Sequence, residues 1–251
     1  MKKLMFAAAL ATVCGAVQAE PIASDIVGYN QTTLTKKRYT LVGIPWDKID
    51  KSETSGFMLN ELPFTNVLDG NDVMDGDVVQ FWSGTGWKNK FYHDTEGWWD
   101  TTDKEFDEVY PDGLPNGTPF FYYSRNTESN AGLNLSGMVA DAADKTYTLT
   151  KKRYTLIANP YPVSYDIDEN LLFTNVLDGN DIMDGDVVQF WSGTGWKNKF
   201  YHDTEGWWDT TDKTFDEVYP NGAAVGQPFF YYSRNTSNAT VKFTNPVATA
   251  Q

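Results

Sequence analysis

Cysteine is almost missing from this chain: the single one is Cys14, close to the start. Disulfides therefore contribute nothing to the rest of the sequence, and no thiol nucleophile or thiolate metal site is on offer there. Histidine is nearly as scarce, with only His93 and His202. No Gly-x-Ser-x-Gly elbow, His-Glu-x-x-His pair or glycine-rich phosphate loop occurs. Basic residues are outnumbered: 34 Asp and Glu face 20 Lys and Arg, a formal net charge of −14. Such a surface repels phosphate backbones and anionic lipid, which argues against nucleic acid or membrane surfaces as partners. Helical periodicity is scarce too, and single turns around 57–62 and 166–172 are the best helical segments.

Long apolar runs are confined to the N-terminus. Lys2 and Lys3 precede a mostly apolar, small-residue stretch, and Val17-Gln18-Ala19 supplies small residues at the −3 and −1 positions of a cleavage site. The stretch falls short of the roughly 20 residues that span a bilayer. Residues 1–19 are therefore read as an export signal, with no membrane insertion of the mature chain. The expected destination is extracellular or the cell surface, with the periplasm as the other compartment.

Repetition is what the sequence has in abundance. Lys36 to Leu41 recurs as Lys151 to Leu156, and Pro119 to Thr127 as Pro228 to Thr236. Between them, residues 64–111 recur as 173–220 with two differences, Val73 against Ile182 and Glu105 against Thr214. Such identity follows from recent recombination as readily as from constraint, so it does not by itself mark a site. The period is long enough for a self-contained domain. The expected organisation is a first β repeat over 20–142 and a second over 143–251, with the boundary near Ala140 to Asp144.

Strand signals fill each repeat. Residues 26–34, 38–44, 78–82, 87–93, 120–124 and 133–139 are short runs rich in β-branched and aromatic residues, separated by turn-forming clusters. Ser83-Gly84-Thr85-Gly86 and Asp94-Thr95-Glu96-Gly97 read as hairpin turns. Phe120-Phe121-Tyr122-Tyr123, apolar on both faces, reads as a central strand covered on both sides. The predicted fold is all-β: two tandem antiparallel β-sandwiches or small barrels after the signal peptide.

Two clusters are candidates for binding. Asp69, Asn71, Asp75 and Asp77, with Asp178, Asn180, Asp184 and Asp186, put oxygen donors into a glycine-containing loop, a composition suited to Ca²⁺. The spacing is not that of an EF-hand, and two successive turns would explain the same residues. Asp100 to Asp107 reads as a solvated acidic loop. Trp82, Trp87, Tyr92, Trp98 and Trp99, with Trp191, Trp196, Tyr201, Trp207 and Trp208, form the other cluster. Flat rings beside Asp and Asn suit a sugar-binding face, and equally suit the core of a domain without disulfides. Trp98 and Trp99 are adjacent, so on a regular strand one of them must face outward.

The order of elements resembles a group of uncharacterised secreted bacterial β-repeat proteins. The matching segments are Val27-Gly28-Tyr29, Leu156-Ile157-Ala158-Asn159-Pro160, Trp82-Ser83-Gly84-Thr85-Gly86, Gly117-Thr118-Pro119-Phe120-Phe121 and Gly137-Met138-Val139. The first repeat departs at Val42-Gly43-Ile44-Pro45, and the second ends in Asn245-Pro246-Val247 without the glycine. The resemblance implies a surface or extracellular role and transfers no catalytic residue. The expected function is a non-enzymatic structural or adhesive one, with a glycan or cell-surface polymer as partner. A carbohydrate-binding module using the Trp cluster is the alternative. A secreted hydrolase with paired carboxylates, or a filament assembled by donating residues 20–34 as a strand, stands behind both.

Overall fold

The computed structural model describes residues 27–100, 110, 112–140, 144–210, 214–220 and 222–246. The expected export signal and nearly all of the Asp100–Asp107 run lie outside the described residues, as does the middle of the expected repeat boundary.

The first repeat holds β1 (Val27–Leu34), β2 (Tyr39–Gly43), β3 (Phe64–Thr65), β4 (Val78–Trp82), β5 (Trp87–His93), β6 (Gly97–Asp100), β7 (Pro119–Tyr123) and β8 (Ala131–Met138). The second holds β9 (Lys145–Leu149), β10 (Tyr154–Ala158), β11 (Leu172–Thr174), β12 (Val187–Trp191), β13 (Trp196–His202), β14 (Gly206–Asp209), β15 (Pro228–Tyr232) and β16 (Ala239–Phe243). Each repeat folds its strands into one three-stranded and one five-stranded antiparallel sheet. The orders are β1-β8-β3 and β2-β7-β4-β5-β6 in the first, β11-β16-β9 and β10-β15-β12-β13-β14 in the second. Among the described residues every strand ladder stays within one repeat.

Alternation places the core. Along β8, Ala131, Leu133 and Leu135 turn inward, and they meet Val42, Val79, Phe81, Phe120 and Tyr122 from the facing five-stranded sheet. The second repeat repeats this with Ala239, Val241 and Phe243 against Ile157, Val188, Phe190, Phe229 and Tyr231. Each repeat is therefore a β-sandwich with its own apolar interior, the coarse fold that the strand pattern predicts.

The expected strands 78–82 and 87–93 appear with those bounds, because Gly84 adopts φ +89° in the intervening turn, a conformation that costs glycine nothing. The central strand predicted at Phe120 is β7, flanked by β2 and β4. Both expected single turns are present: residues 57–62 contribute a 3-10 turn at Leu59–Glu61, and in 166–172 the N–H groups of Asn170 and Leu171 both donate to Asp166 O at 3.1 Å. The α-helix α1 (Thr214–Val218) is one that the sequence pattern does not anticipate. Asp209 accepts the N–H of Phe215, satisfying one of the free donors in the first turn of this helix. Phe215 itself is buried against Phe190, so packing rather than intrinsic propensity holds so short a helix.

Glycines of the first repeat explain two of the motif matches, Val27-Gly28-Tyr29 and Gly137-Met138-Val139. An added Cβ at Gly28 would fall 1.9 Å from the ring of Trp46, and one at Gly137 would fall 2.6 Å from its Cβ. Trp46 lies across β1 and β8 in the space these two glycines leave, buried at 4 % exposure.

Candidate functional site

The tryptophans of each repeat separate into three environments, and cross-strand register decides which. In β5, Tyr92 lies opposite Trp98 of β6, and Phe91 lies opposite Trp99. The Tyr92–Trp98 pair faces the sandwich interior, where the Trp98 ring packs 5.2 Å from both Phe64 and Tyr92. Trp98 and Trp207 are thus core residues, and Tyr92 and Tyr201 pack against the same interiors. This removes Trp98 and Trp207 from the proposed ligand face, enclosed by their own domain, while Tyr92 and Tyr201 are half-buried with a ring packed on that interior.

Trp82 and Trp191 belong to the contact between the repeats. Leu41, Phe121 and Phe230 form a small apolar cluster with Trp82, Leu156 and Trp191, drawn from the outer faces of both five-stranded sheets. Trp82 Nε1 donates to the carbonyl of Tyr154 at 3.2 Å, and Trp191 Nε1 donates to that of Tyr39 at 3.0 Å. Trp87 and Trp196 border this cluster, packing edge-on against Phe121 and Phe230. The expectation that these four form a ligand platform is corrected. Their rings are engaged by the other repeat, although Trp87 and Trp196 remain 39 % and 38 % exposed.

Trp99 and Trp208 are different. Each is 51 % exposed, the only large exposure among the clustered tryptophans that no second domain explains. Of the adjacent pair, one ring is inside and the other outside, as strand geometry requires. In the second repeat Trp208 stands at a shallow depression of about 250 Å³ with Asn180, Asp181, Phe200, His202 and Asp209. The Trp208 and His202 ring centres are 6.2 Å apart, and Trp99 and His93 are 6.4 Å apart. Of these neighbours, Asn180 was a candidate ligand for a cation and the others were unassigned. Trp99 and Trp208 were already candidates, whereas His93 and His202 were not; the signal for His93 is the alternation of β5, which puts it on the face of Phe91, the residue opposite Trp99.

The histidine is held in place. Its Nδ1 accepts the N–H of Thr204 at 3.3 Å, with Asp203 Oδ1 at 3.2 Å. His93 has the same arrangement with Thr95 and Asp94. The acidic loop is pinned beside it, since Gly179 N–H donates to Tyr201 O at 3.0 Å and Gly70 N–H to Tyr92 O at 3.1 Å.

The same loop answers the Ca²⁺ expectation. Asp77 is fully buried, and its carboxylate accepts from Leu68 N–H at 3.1 Å, Tyr122 O–H at 2.5 Å and Arg125 N–H at 2.6 Å. Asp186 is buried in the same way by Leu177, Tyr231 and Arg234. Burial first, and the neighbouring carboxylate second, push both tyrosine hydroxyls far above the ordinary tyrosine range. The guanidinium of Arg125 closes the loop by donating to Gly76 O and Val73 O. Asp77 and Asp186 therefore organise a loop from inside. Among the described residues no three His, Cys, Asp or Glu side chains gather in one place. The remaining oxygen donors, Asp69, Asn71, Asp75, Asp178, Asn180 and Asp184, belong to a turn fixed by its own hydrogen bonds.

A second depression in the second repeat is lined by Lys199 with Asp168 and Asp216. The Lys199 ammonium lies 2.9 Å from Asp168 and 2.8 Å from Asp216, with its side chain only 6 % exposed. Burial opposes the charge, yet hydrogen bonds to Asp216 and Asp168 outweigh it and hold the ammonium above the ordinary lysine range. In the first repeat Asn60 stands where Asp168 does: each accepts the N–H of the core tryptophan, Trp98 or Trp207.

Comparison with protein-family models, curated proteins and solved structures finds no match for this chain.

Proposed function

We propose that this chain is a non-enzymatic extracellular protein that holds a glycan or cell-surface polymer at two copies of one shallow site, built on Trp99 with His93 and on Trp208 with His202. The observation that carries the reading is the half-exposed tryptophan beside a positioned histidine, in a depression lined by Asn180, Asp181 and Asp209. A flat ring offers the face on which a sugar stacks, and hydroxyl groups find acceptors and a donor at its rim. An open, shallow depression suits a polymer passing over it better than a small molecule enclosed within it. Two sites on one chain strengthen attachment, because a short tether raises the effective concentration at the second site to about the millimolar range.

Titrating the protein with a panel of soluble polysaccharides tests this, with intrinsic tryptophan fluorescence as the signal. At least one should quench or shift the emission. Trp208→Ala should weaken that binding at least tenfold, and Trp99→Ala together with Trp208→Ala should abolish it. Wild-type binding that survives the double substitution places the ligand elsewhere, and silence towards every polymer removes the reading.

A further inference from the structure

The contact between the repeats is reciprocal. Tyr39 and Tyr154 hold corresponding positions, as do Trp82 and Trp191, so the two indole-to-carbonyl hydrogen bonds are one interaction made twice across a pseudo-two-fold axis. Phe121 and Phe230 likewise each receive the tryptophans of the opposite repeat. Since the participating blocks are copies, nothing in them distinguishes repeat 1 from repeat 2 as a partner. The distinction lies in the diverged segment that follows the Leu41 and Leu156 motifs.

There Gly43 corresponds to Ala158, and the two meet. A Cβ added to Gly43 would lie 2.5 Å from the Ala158 Cβ and 2.6 Å from the Gly226 carbonyl oxygen, where carbon atoms pack at about 3.5–4.0 Å. All of the nearest obstructing atoms belong to the second repeat. Gly43 is in β2 and has no positive φ, so its own backbone does not call for glycine. Its lack of a side chain is explained by the other repeat alone.

We infer that Gly43 and Ala158 determine which repeats pair: one methyl group fits at the axis, so the face accepts repeat 1 against repeat 2 and refuses two copies of repeat 2. The surface is thus a self-recognition face from which a pair of second repeats is excluded at a single point. The neighbouring contacts agree with a fit tailored to unlike partners. Asn116 donates to the Pro160 carbonyl at 2.7 Å, and the corresponding residue of the second repeat is Val225, which has no side-chain donor to return the bond to Pro45.

The test uses the full chain with Gly43→Ala, Ala158→Gly and the double variant that moves the methyl from one repeat to the other. Thermal midpoint and tryptophan emission maximum are read for each. Gly43→Ala should lower the midpoint and move emission to longer wavelength, as Trp82 and Trp191 gain water. Ala158→Gly should change both only slightly. The double variant should recover at least half of both shifts, the Gly226 carbonyl accounting for the remainder. A wild-type midpoint and emission in Gly43→Ala would overturn the inference. So would a double variant no closer to wild type than Gly43→Ala, which would mean that Gly43 serves the fold of its own repeat. If Gly43→Ala does not fold, recovery by Ala158→Gly still decides.

Discussion

The copied block and the diverged segment of each repeat carry different kinds of work. Residues 64–100 and 173–209 hold the buried aspartate, the core tryptophan and the exposed tryptophan, and they repeat their hydrogen bonds almost atom for atom. Residues 42–62 and 157–171 hold Gly43 against Ala158, Trp46 against Tyr161 and Asn60 against Asp168. What is alike thus builds each sandwich and its outer site, whereas what differs sits at the pairing axis or around one buried lysine. At this axis the room for the Ala158 methyl is supplied by Gly43, at a position where the repeats diverge.

The strongest challenge to this division is to remove the buried carboxylate from each copy. Asp77→Ala leaves Leu68 N–H, Tyr122 O–H and Arg125 N–H without their acceptor, at a cost of about 1–3 kcal/mol for each unsatisfied donor. A loss of about 4 kcal/mol or more is expected, and Asp186→Ala should match it within about 1 kcal/mol. Urea unfolding of both variants measures this. A large effect in one repeat and a small one in the other would show that identical sequence does not carry identical weight.

Next in size is the adjacent tryptophan pair. Trp98→Ala opens a cavity in the core and should cost about 3–5 kcal/mol, while Trp99→Ala should stay within about 0.5 kcal/mol of wild type. The second repeat should show the same contrast between Trp207 and Trp208. Equal costs at Trp98 and Trp99 would mean that the outer ring is packed, and the ligand site would lose its physical basis.

These contrasts mark what sequence can and cannot convey. Strands β4 and β5 were legible because alternation and a glycine turn are local signals. That one of Trp98 and Trp99 faces out followed from strand geometry alone. The role of Asp77 was not legible, because its partners Tyr122 and Arg125 arrive from 45 and 48 residues away. In sequence it looked like one more oxygen donor for a cation. Trp82 and Trp191 were illegible for a different reason: an aromatic residue on the outer face of a sheet reads the same whether it will meet sugar, solvent or another domain. The site at Trp208 lay between these cases, its aromatic half visible and its His202 and Asp181 half dependent on how the acidic loop folds back.

A gentler contrast concerns the tyrosines. Tyr219 is pushed up to about 12 by burial against Phe190 and Phe215, and Tyr122 and Tyr231 lie higher still. Their folded-state values exceed the unfolded value of about 10, so the associated stability is fully present below pH 10 and is lost as pH rises towards 12 and beyond. Absorbance at 295 nm should accordingly show a fraction of tyrosines ionising only as the protein unfolds. Immediate ionisation of every tyrosine near pH 10 in the folded protein would contradict their burial.

The smallest expected effect bears most directly on how the repeats differ. Asp168→Asn gives the second repeat the amide that Asn60 provides in the first, preserving an acceptor for the Trp207 N–H while removing one of the two carboxylates at Lys199. Asp168 is 41 % exposed, so solvent screens the pair and the loss should be no more than about 1 kcal/mol. Because the folded Lys199 is held above the unfolded lysine value of about 10.4, the ion pair contributes fully below that pH and fades as pH climbs through the folded value. The gap in thermal midpoint between wild type and Asp168→Asn should therefore be constant from neutral pH to about 10 and close above it. A gap that persists unchanged at pH 12 would show that the effect of Asp168 does not come from its charge beside Lys199.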